Sequence, residues 1–220
     1  MNKVFAILWK DILSELRAKE IAASVLFFAI LVIVVFSFAF DPEDDTIGLV
    51  APGVLWVAFT FAGVLGLNRM FAMEKEKGCL EGLMLCPVDR DIIYWGKMAG
   101  SFIFMIIVEV VVTPIFLVLF DLPLFMPELA LIAVLATVGF VSVGTLFSAL
   151  ATNTRAKDVL LPILFFPIVI PVIICAVKAS EVAFDGKPFG DMLSWLGIMG
   201  AFDVIFLVVS SLVFEFVIEE

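Results

Sequence analysis

Six long apolar runs, separated by short polar stretches, dominate the hydrophobic pattern of this chain. Each run is long enough to cross the roughly 30 Å hydrocarbon core of a bilayer as a helix that rises about 1.5 Å per residue. The runs occupy residues 21–40, 48–67, 99–120, 128–150, 159–177 and 193–214. The pattern therefore predicts an all-α membrane protein with six transmembrane helices, which form a single domain over residues 1–220.

The first 19 residues follow a different pattern, which is that of an amphipathic helix. Apolar residues recur there at the i, i+3, i+4 and i+7 spacing of one helix face, as Phe5, Leu8, Trp9, Ile12, Leu13 and Leu16. A second stripe carries the cations Lys3, Lys10 and Arg17. We predict an interfacial helix near residues 3–18, with Trp9 at the level of the lipid headgroups. Lys19 and Glu20 favour a bend before the first span, and the alternative is that these residues begin one long first helix.

Basic residues are distributed unevenly over the stretches between the spans. With spans that alternate in direction, 11 of the 13 Lys and Arg residues lie on one side of the membrane, and only Lys178 and Lys187 lie on the other. Cytoplasmic stretches of membrane proteins carry the excess of Lys and Arg. We therefore predict that both termini and residues 68–98 are cytoplasmic.

The polar stretch 68–98 is much longer than a turn between two membrane helices requires. Its first part is charged and has no helix breaker before Gly78. The second span is therefore predicted to continue as a helical stalk from Asn68 to Lys77, and Gly78 ends it.

The second part of this stretch, residues 79–86, has the pattern of a short amphipathic helix. Its apolar side consists of Leu80, Leu83 and Met84. Pro87 stops the helix, and Asp89 is placed to cap the next one with its side chain. An apolar patch held in the cytosol would be adhesive on its own, and it suits a groove on a partner protein.

Two acidic residues lie near the centres of predicted spans, Glu109 in the third and Asp203 in the sixth. Charges at that depth are costly, so such residues are functional candidates by default. No Lys or Arg lies within the six predicted spans. Each acid is therefore protonated, bonded to the other acid, or turned towards a wet cavity or a partner. Thr113, one turn past Glu109, offers a purely structural alternative, and we expect at least Glu109 to face protein rather than lipid.

The fifth predicted span is rich in proline, with Pro162, Pro167 and Pro171. Each proline removes a backbone donor and clashes with the preceding turn. We therefore predict a kinked helix that packs against other protein. The kink is either a moving part or a static bend.

The sequence offers no catalytic or metal site. There is no His, so the chain cannot supply imidazole ligands to zinc, haem or copper. The three Cys show no CxxC spacing, and no G-x-x-x-x-G-K-[ST] phosphate loop is present. We expect no enzyme activity, no metal and no directly bound cofactor, so any ATP must be bound by another chain.

The stretch "EKGCLEGLMLCP" resembles a motif of type-2 ABC exporter permeases, with Cys79 where Thr is usual. The matching positions are Glu76, Gly78, Leu80, Glu81, Leu83 and Pro87. The wider run "APGVLWVAFTFAGVLGLNRMFAMEKEKGCLEGLMLCPVDRDIIYWGK" is similar more specifically to the CcmB (haem exporter B) family of cytochrome c maturation. The chain length, the proline-rich span and the N-terminal helix fit the same family, so the resemblance covers essentially the whole chain.

This resemblance implies a permease in the bacterial inner membrane that works with a CcmA-type ATPase, CcmC and CcmD, and is linked to the haem chaperone CcmE. In that family ATP is thought to drive release of the loaded chaperone. Residues 79–86, with Met84 among them, would be the coupling helix that sits in the ATPase. ATP would be bound by the partner, and haem would be handled by the complex.

Three other interpretations stay open. The first is a type-2 ABC permease that exports a lipid, polysaccharide or drug. The second is an ion-coupled secondary transporter that uses membrane carboxylates, although the internal repeats usual in such folds are not evident. The third is a structural membrane scaffold.

Overall fold

Seven long helices make up nearly all of the structure described here, a computed structural model. It describes residues 3–17, 19–40, 47–76, 82, 85, 88–152 and 157–219. In chain order the helices are α1 (Lys3–Arg17), α2 (Lys19–Ala39), α3 (Ile47–Glu76), α4 (Arg90–Leu119), α5 (Pro127–Thr152), α6 (Lys157–Phe184) and α7 (Phe189–Glu219).

The six predicted spans are confirmed. Within the described residues, α2 to α7 are the helices long and apolar enough to cross a membrane. The N-terminal helix α1 covers Lys3–Arg17, and α2 begins at Lys19. Residue 18 lies outside the described residues, so the bend expected at Lys19 and Glu20 stays a prediction. The fold is therefore that of an all-α membrane protein with an additional N-terminal helix.

Four of the spans, in α3, α4, α6 and α7, are considerably longer than predicted. Helices α3 and α4 have 30 residues each, or about 45 Å at 1.5 Å per residue, against a hydrocarbon core of about 30 Å. The surplus in α3 is the helical stalk expected beyond Asn68, which is confirmed as far as Glu76. We call the end of the bundle where α3 ends and α4 begins the stalk end.

Helix α5 forms the centre of the bundle. In α5, 67% of the membrane span is buried inside the bundle, against 17% for α2 and 22% for α7. It packs against α3, α4, α6 and α7. Small residues permit this close packing: a Cβ at Gly144 of α5 would lie 2.4 Å from the side chain of Leu67 in α3. Helices α2 and α7 therefore present most of their surface to lipid.

The connection between α4 and α5, residues 120–126, begins with a tight helix end. Asp121 has a positive φ of 52°. The N–H of Leu122 bonds to the carbonyl of Leu117 at 2.8 Å, and that of Asp121 bonds to Val118 at 3.4 Å. These two bonds satisfy carbonyls at the end of α4 in a Schellman arrangement. We call this end of the bundle the loop end.

The connection between α6 and α7 ends its helix in the same way, with Gly186 at a φ of 64°. Here Lys187 pairs with Asp185, with 2.7 Å between Nζ and Oδ2. The hydrogen bond to Asp185 raises the pKa of the Lys187 ammonium. Lys178 pairs similarly with Glu181 at 2.7 Å.

Most of the predicted coupling helix lies outside the described residues. This applies to Gly78, Leu80, Glu81, Leu83, Met84 and Pro87. Glu76 is the last residue of α3. The helical form of residues 79–86 therefore stays a prediction.

Candidate functional site

Helix α1 packs across the first turns of α4 at the stalk end. Ile7 and Asp11 lie on the packed face of α1 and are 6% exposed each. Two glycines of α4 make room for them. A Cβ at Gly96 would lie 2.7 Å from Cγ2 of Ile7, and one at Gly100 would lie 3.3 Å from Cβ of Asp11. The two helices therefore meet at a distance that a larger side chain at Gly96 would prevent.

A buried ion pair lies at this contact. Lys97 Nζ donates to Asp11 Oδ1 at 3.2 Å, and Lys10 Nζ lies 2.9 Å from the same oxygen. The Lys97 side chain is only 4% exposed. Its ammonium also lies 5.9 Å from the centre of the Phe71 ring in α3, a cation–π distance. Lys97 thus links its own helix, α4, to two others, α1 and α3.

We call this group, Ile7, Asp11, Phe71, Gly96 and Lys97, the Lys97 junction. Its position along the chain is informative. Phe71 is five residues before the end of α3, and Lys97 is seven residues after the start of α4. At 1.5 Å per residue these are axial distances of about 8 Å and about 10 Å. The junction therefore fixes α1 to both helices that flank residues 77–89.

Two findings refine the prediction for this region. The predicted span 99–120 contains no Lys or Arg, but the helix that carries it begins earlier, at Arg90, and includes the buried Lys97. Asp89 occupies the predicted N-cap position, but it makes no side-chain hydrogen bond there. Instead, Asp91 Oδ1 accepts the N–H of Ile92 at 2.8 Å.

The junction was not predicted from the sequence, because Lys97 was counted among the cytoplasmic charges. Two features of the sequence nevertheless indicate it. Gly96 and Gly100 have the small-xxx-small spacing of close helix contacts and enclose the lysine. Asp11 follows Ile7 by four residues and so shares its helix face. The predicted apolar stripe lies elsewhere on α1, with Phe5, Trp9 and Leu13 exposed at 52%, 55% and 38%.

Glu109 is buried in the middle of α4, as expected for an acid that faces protein. It is 4% exposed, and its Oε1 accepts a short hydrogen bond from the hydroxyl of Thr137 in α5. The local alternative, Thr113, is not the observed donor, since the partner comes from a neighbouring helix. Glu109 Oε2 has no hydrogen-bond partner among the described residues.

Asp203 is also buried, at 5% exposure in α7. Its carboxylate lies against Gly139 of α5, where a Cβ would be 2.5 Å from Oδ1. Neither carboxylate oxygen has a hydrogen-bond partner among the described residues. The glycine thus provides the space for the acid but no compensating bond.

The two acids lie on opposite sides of α5. Their contacts there, Thr137 and Gly139, are two residues apart, so they point about 200° apart on the helix and differ in height by about 3 Å. A hydrogen bond between Glu109 and Asp203 is therefore excluded. Glu109 instead borders two cavities, one of about 10 Å³ and one of about 360 Å³.

The prolines of the fifth span lie within one continuous helix, α6. Pro167 and Pro171 are exposed on its surface. Pro162 lies within the same helix. Because α6 is assigned without interruption from Lys157 to Phe184, the kink stays a prediction.

The described residues contain no cluster of three or more His, Cys, Asp or Glu side chains that would hold a metal ion. The features of the site are instead a buried ion pair at one end of the bundle and isolated acids within it. Together with six apolar spans, they define a multi-pass α-helical membrane protein.

The particular family follows from comparison with known proteins: the chain belongs to the CcmB protein family, whose model matches residues 2–219. It is 31% identical to Heme exporter protein B of Pseudomonas aeruginosa, over 84% of this chain and 83% of that protein. It is 30% identical to the Haemophilus influenzae protein of the same name, over 79% of each. For the Escherichia coli protein the identity is 29%, over 86% of this chain and 88% of the relative. The resemblance inferred from the sequence is confirmed.

Proposed function

We propose that this protein is the membrane subunit of an ATP-driven ABC complex that serves haem delivery to c-type cytochromes. The relatives named Heme exporter protein B support the haem-related role, because they match most of the chain. The protein itself is a permease with the type-2 ABC exporter fold, and the ATPase activity resides in a separate CcmA-type chain. CcmC and CcmD complete the complex, which acts on the haem-loaded chaperone CcmE.

The proposed location is the bacterial inner membrane, with both termini in the cytoplasm. The charge distribution supports this orientation, because the stretches at the stalk end carry most of the Lys and Arg residues. The stalk end then faces the ATPase, and the loop end faces the periplasm. Phe5, Trp9 and Leu13 of α1, which the bundle leaves exposed, would enter the cytoplasmic interface of the bilayer.

The coupling role is assigned to residues 76–87, through Glu76, Gly78, Leu80, Glu81, Leu83, Met84 and Pro87. The apolar side chains would fill a groove of the ATPase. Glu76 and Glu81 would hold the stalk or meet basic residues of the ATPase.

The single observation that carries this coupling mechanism is the Lys97 junction. A force that acts on residues 77–89 reaches the membrane through α3 and α4, the helices on either side. Lys97 contacts both Phe71 of α3 and Asp11 of α1. The ends of α3 and α4 at the stalk end would therefore move together with α1 as one unit, rather than bend separately. This unit transfers the ATPase's motion to the spans.

Inside the membrane, Glu109 and Asp203 are proposed to take part in the conformational cycle. Both acids are buried without an ion-pair partner among the described residues, which makes them sensitive to any shift of α4 or α7 against α5. Pro162, Pro167 and Pro171 would provide the bend at which α6 adapts.

The test is the variant Leu83→Asp in the reconstituted complex. An unpaired charge in an apolar groove is costly, so we expect assembly with the ATPase or its stimulation to be lost. Leu83→Met, which keeps the position apolar, is the matched control and should behave as the wild type. ATP hydrolysis, complex assembly and cytochrome c maturation are measured together. Normal values of all three in Leu83→Asp would remove the coupling role.

A further inference from the structure

A cavity of about 360 Å³ opens between α3, α4 and α5 at the loop end. Its volume lies in the range of about 300–1,000 Å³ that is usual for small-molecule sites. The walls are mostly apolar, and they include Trp56, Phe59, Pro114, Leu117 and Ala133. Phe125, which is 87% exposed, also lines this cavity.

Among the described lining residues, the ionisable one is Glu109. The residue is 4% exposed, and Thr137 satisfies only Oε1. Oε2 is buried and has no hydrogen-bond partner among the described residues. Thr113, also on the wall, lies one helical turn from Glu109 and adds a second polar group. Within the described part of the chain, no Lys or Arg lines the cavity.

A buried carboxylate without a counter-ion is costly, and a ligand that brings a positive N–H donor would remove that cost. The apolar walls would at the same time accept a hydrocarbon or ring body. We propose that this cavity binds an amphiphile with an apolar body and a protonated amine, which pairs with the carboxyl group of Glu109. This inference is independent of the proposed ATP coupling, since it rests on the cavity and its carboxylate alone.

Two sources of such an amine exist in a membrane, a free amphiphile and the headgroup of an aminophospholipid. Glu109 lies ten residues before the end of α4 at Leu119, or about 15 Å along the helix axis. A lipid headgroup would have to leave the interface to reach that depth. The depth therefore favours a free amphiphile, and the experiment below separates the two sources.

The test measures binding of radiolabelled dodecylamine and dodecanol to the full-length protein in phosphatidylcholine nanodiscs, by equilibrium dialysis against empty discs. Phosphatidylcholine has no N–H donor and does not compete for Glu109. We expect saturable binding of the amine that exceeds that of the alcohol. Loss of a charge-assisted hydrogen bond lowers affinity about tenfold or more. We therefore expect Glu109→Gln to weaken binding of the amine by at least that factor. Binding of dodecanol should be unaffected by that change.

Two further variants define the site. Ala133→Phe places a ring in the cavity and should abolish binding of both probes. Val208→Phe, at a 55% exposed position on α7, is the matched control and should bind as the wild type does. Replacing half of the phosphatidylcholine by phosphatidylethanolamine weakens amine binding if the headgroup occupies the site, and leaves it unchanged if the natural occupant is a free amphiphile.

Three results would overturn the proposal. They are no saturable amine binding above empty discs, equal binding of amine and alcohol to the wild type, and equal amine affinity of the wild type and Glu109→Gln. The comparison of the two probes uses only the wild type, so it remains decisive if a variant fails to fold.

Discussion

At the scale of single residues, the described structure is distinguished by polar groups that are buried in a very apolar chain. Lys97 and Asp11 satisfy each other, Glu109 is half satisfied by Thr137, and Asp203 has no hydrogen-bond partner among the described residues. These arrangements should contribute differently to the free energy of unfolding. Two series of substitutions measure the contributions of the ion pair and of the hydrogen bond to Glu109.

The first series concerns the ion pair. Asp11→Asn removes the carboxylate from the buried ammonium of Lys97, whereas Lys97→Met leaves Asp11 with Lys10 at 2.9 Å. We therefore expect Asp11→Asn to lower the free energy of unfolding by about 3 kcal/mol, and Lys97→Met to lower it by less. The double variant should lose less than the sum of the two. Unfolding in mixed micelles by denaturing detergent measures all three, and additive losses would show that the pair is not coupled.

The second series concerns the hydroxyl next to Glu109. Thr137→Val removes the donor to Oε1 and should destabilise the protein by about 1 kcal/mol. Thr145→Val is the matched control on the same helix, because the buried hydroxyl of Thr145 has no partner among the described residues. That change should be neutral or slightly stabilising. Equal effects of the two substitutions would mean that the bond to Glu109 contributes nothing.

At the scale of helices, the question is which contacts hold α1 to the bundle. A Cβ at Gly96 would lie 2.7 Å from Ile7, so Gly96→Val should push α1 away from α4. Under the proposed mechanism this lowers ATP-dependent cytochrome maturation without dissociating the ATPase. Ile7→Ala in the same chain should restore part of the activity, because it makes room for the new side chain.

The control for this experiment is Gly197→Ala in α7, where an added Cβ meets no atom within 4 Å. That variant should keep wild-type activity. If Gly96→Val is also fully active, or if Ile7→Ala fails to improve it, the contact between α1 and α4 has no part in coupling.

The helices themselves were readable from the sequence, and their contacts were not. Apolar runs of about 20 residues predicted the six spans, because membrane helices must satisfy their backbone internally. The third span was predicted to start at residue 99, and the helix that contains it starts at Arg90, directly after the cap position predicted for Asp89. A lysine in the sequence suggests the end of a membrane span unless the carboxylate that pairs with it is known. For Lys97 that carboxylate belongs to Asp11, which is 86 residues away in the sequence.

The partner of Glu109 illustrates the same limit. The local candidate was Thr113, and the observed donor is Thr137, which is 28 residues away. Helical spacing reveals which residues share a face, but not which neighbouring helix covers that face. The burial of Glu109 was predictable from its position, and its hydrogen bond and cavity required the packing of α3, α4 and α5.

At the scale of the whole molecule, the orientation in the membrane determines which end of the bundle would meet the proposed ATPase. The native Cys79 and Cys86 lie between α3 and α4, and Lys187 lies at the other end of the bundle. We expect a membrane-impermeant maleimide to label Cys79 or Cys86 only after the inner membrane is opened. In a cysteine-free background, Lys187→Cys should be labelled in intact spheroplasts, since that side chain is 50% exposed.

The reverse pattern would invert the proposed orientation. Labelling of both positions from one side would contradict the alternation of the six spans. Cys175, which is buried, serves as an internal control and should react only after denaturation.

The central claim is that this protein works as one subunit of an ATP-driven complex. The most direct measurement is purification of the tagged protein from its native membrane in mild detergent, followed by identification of the associated chains and assay of ATP hydrolysis. The account predicts that a CcmA-type ATPase with a phosphate loop and a CcmC-type protein are recovered with it, and that the preparation hydrolyses ATP. Recovery of the protein without any nucleotide-hydrolysing chain, in a preparation that still supports cytochrome c maturation after reconstitution, would contradict it.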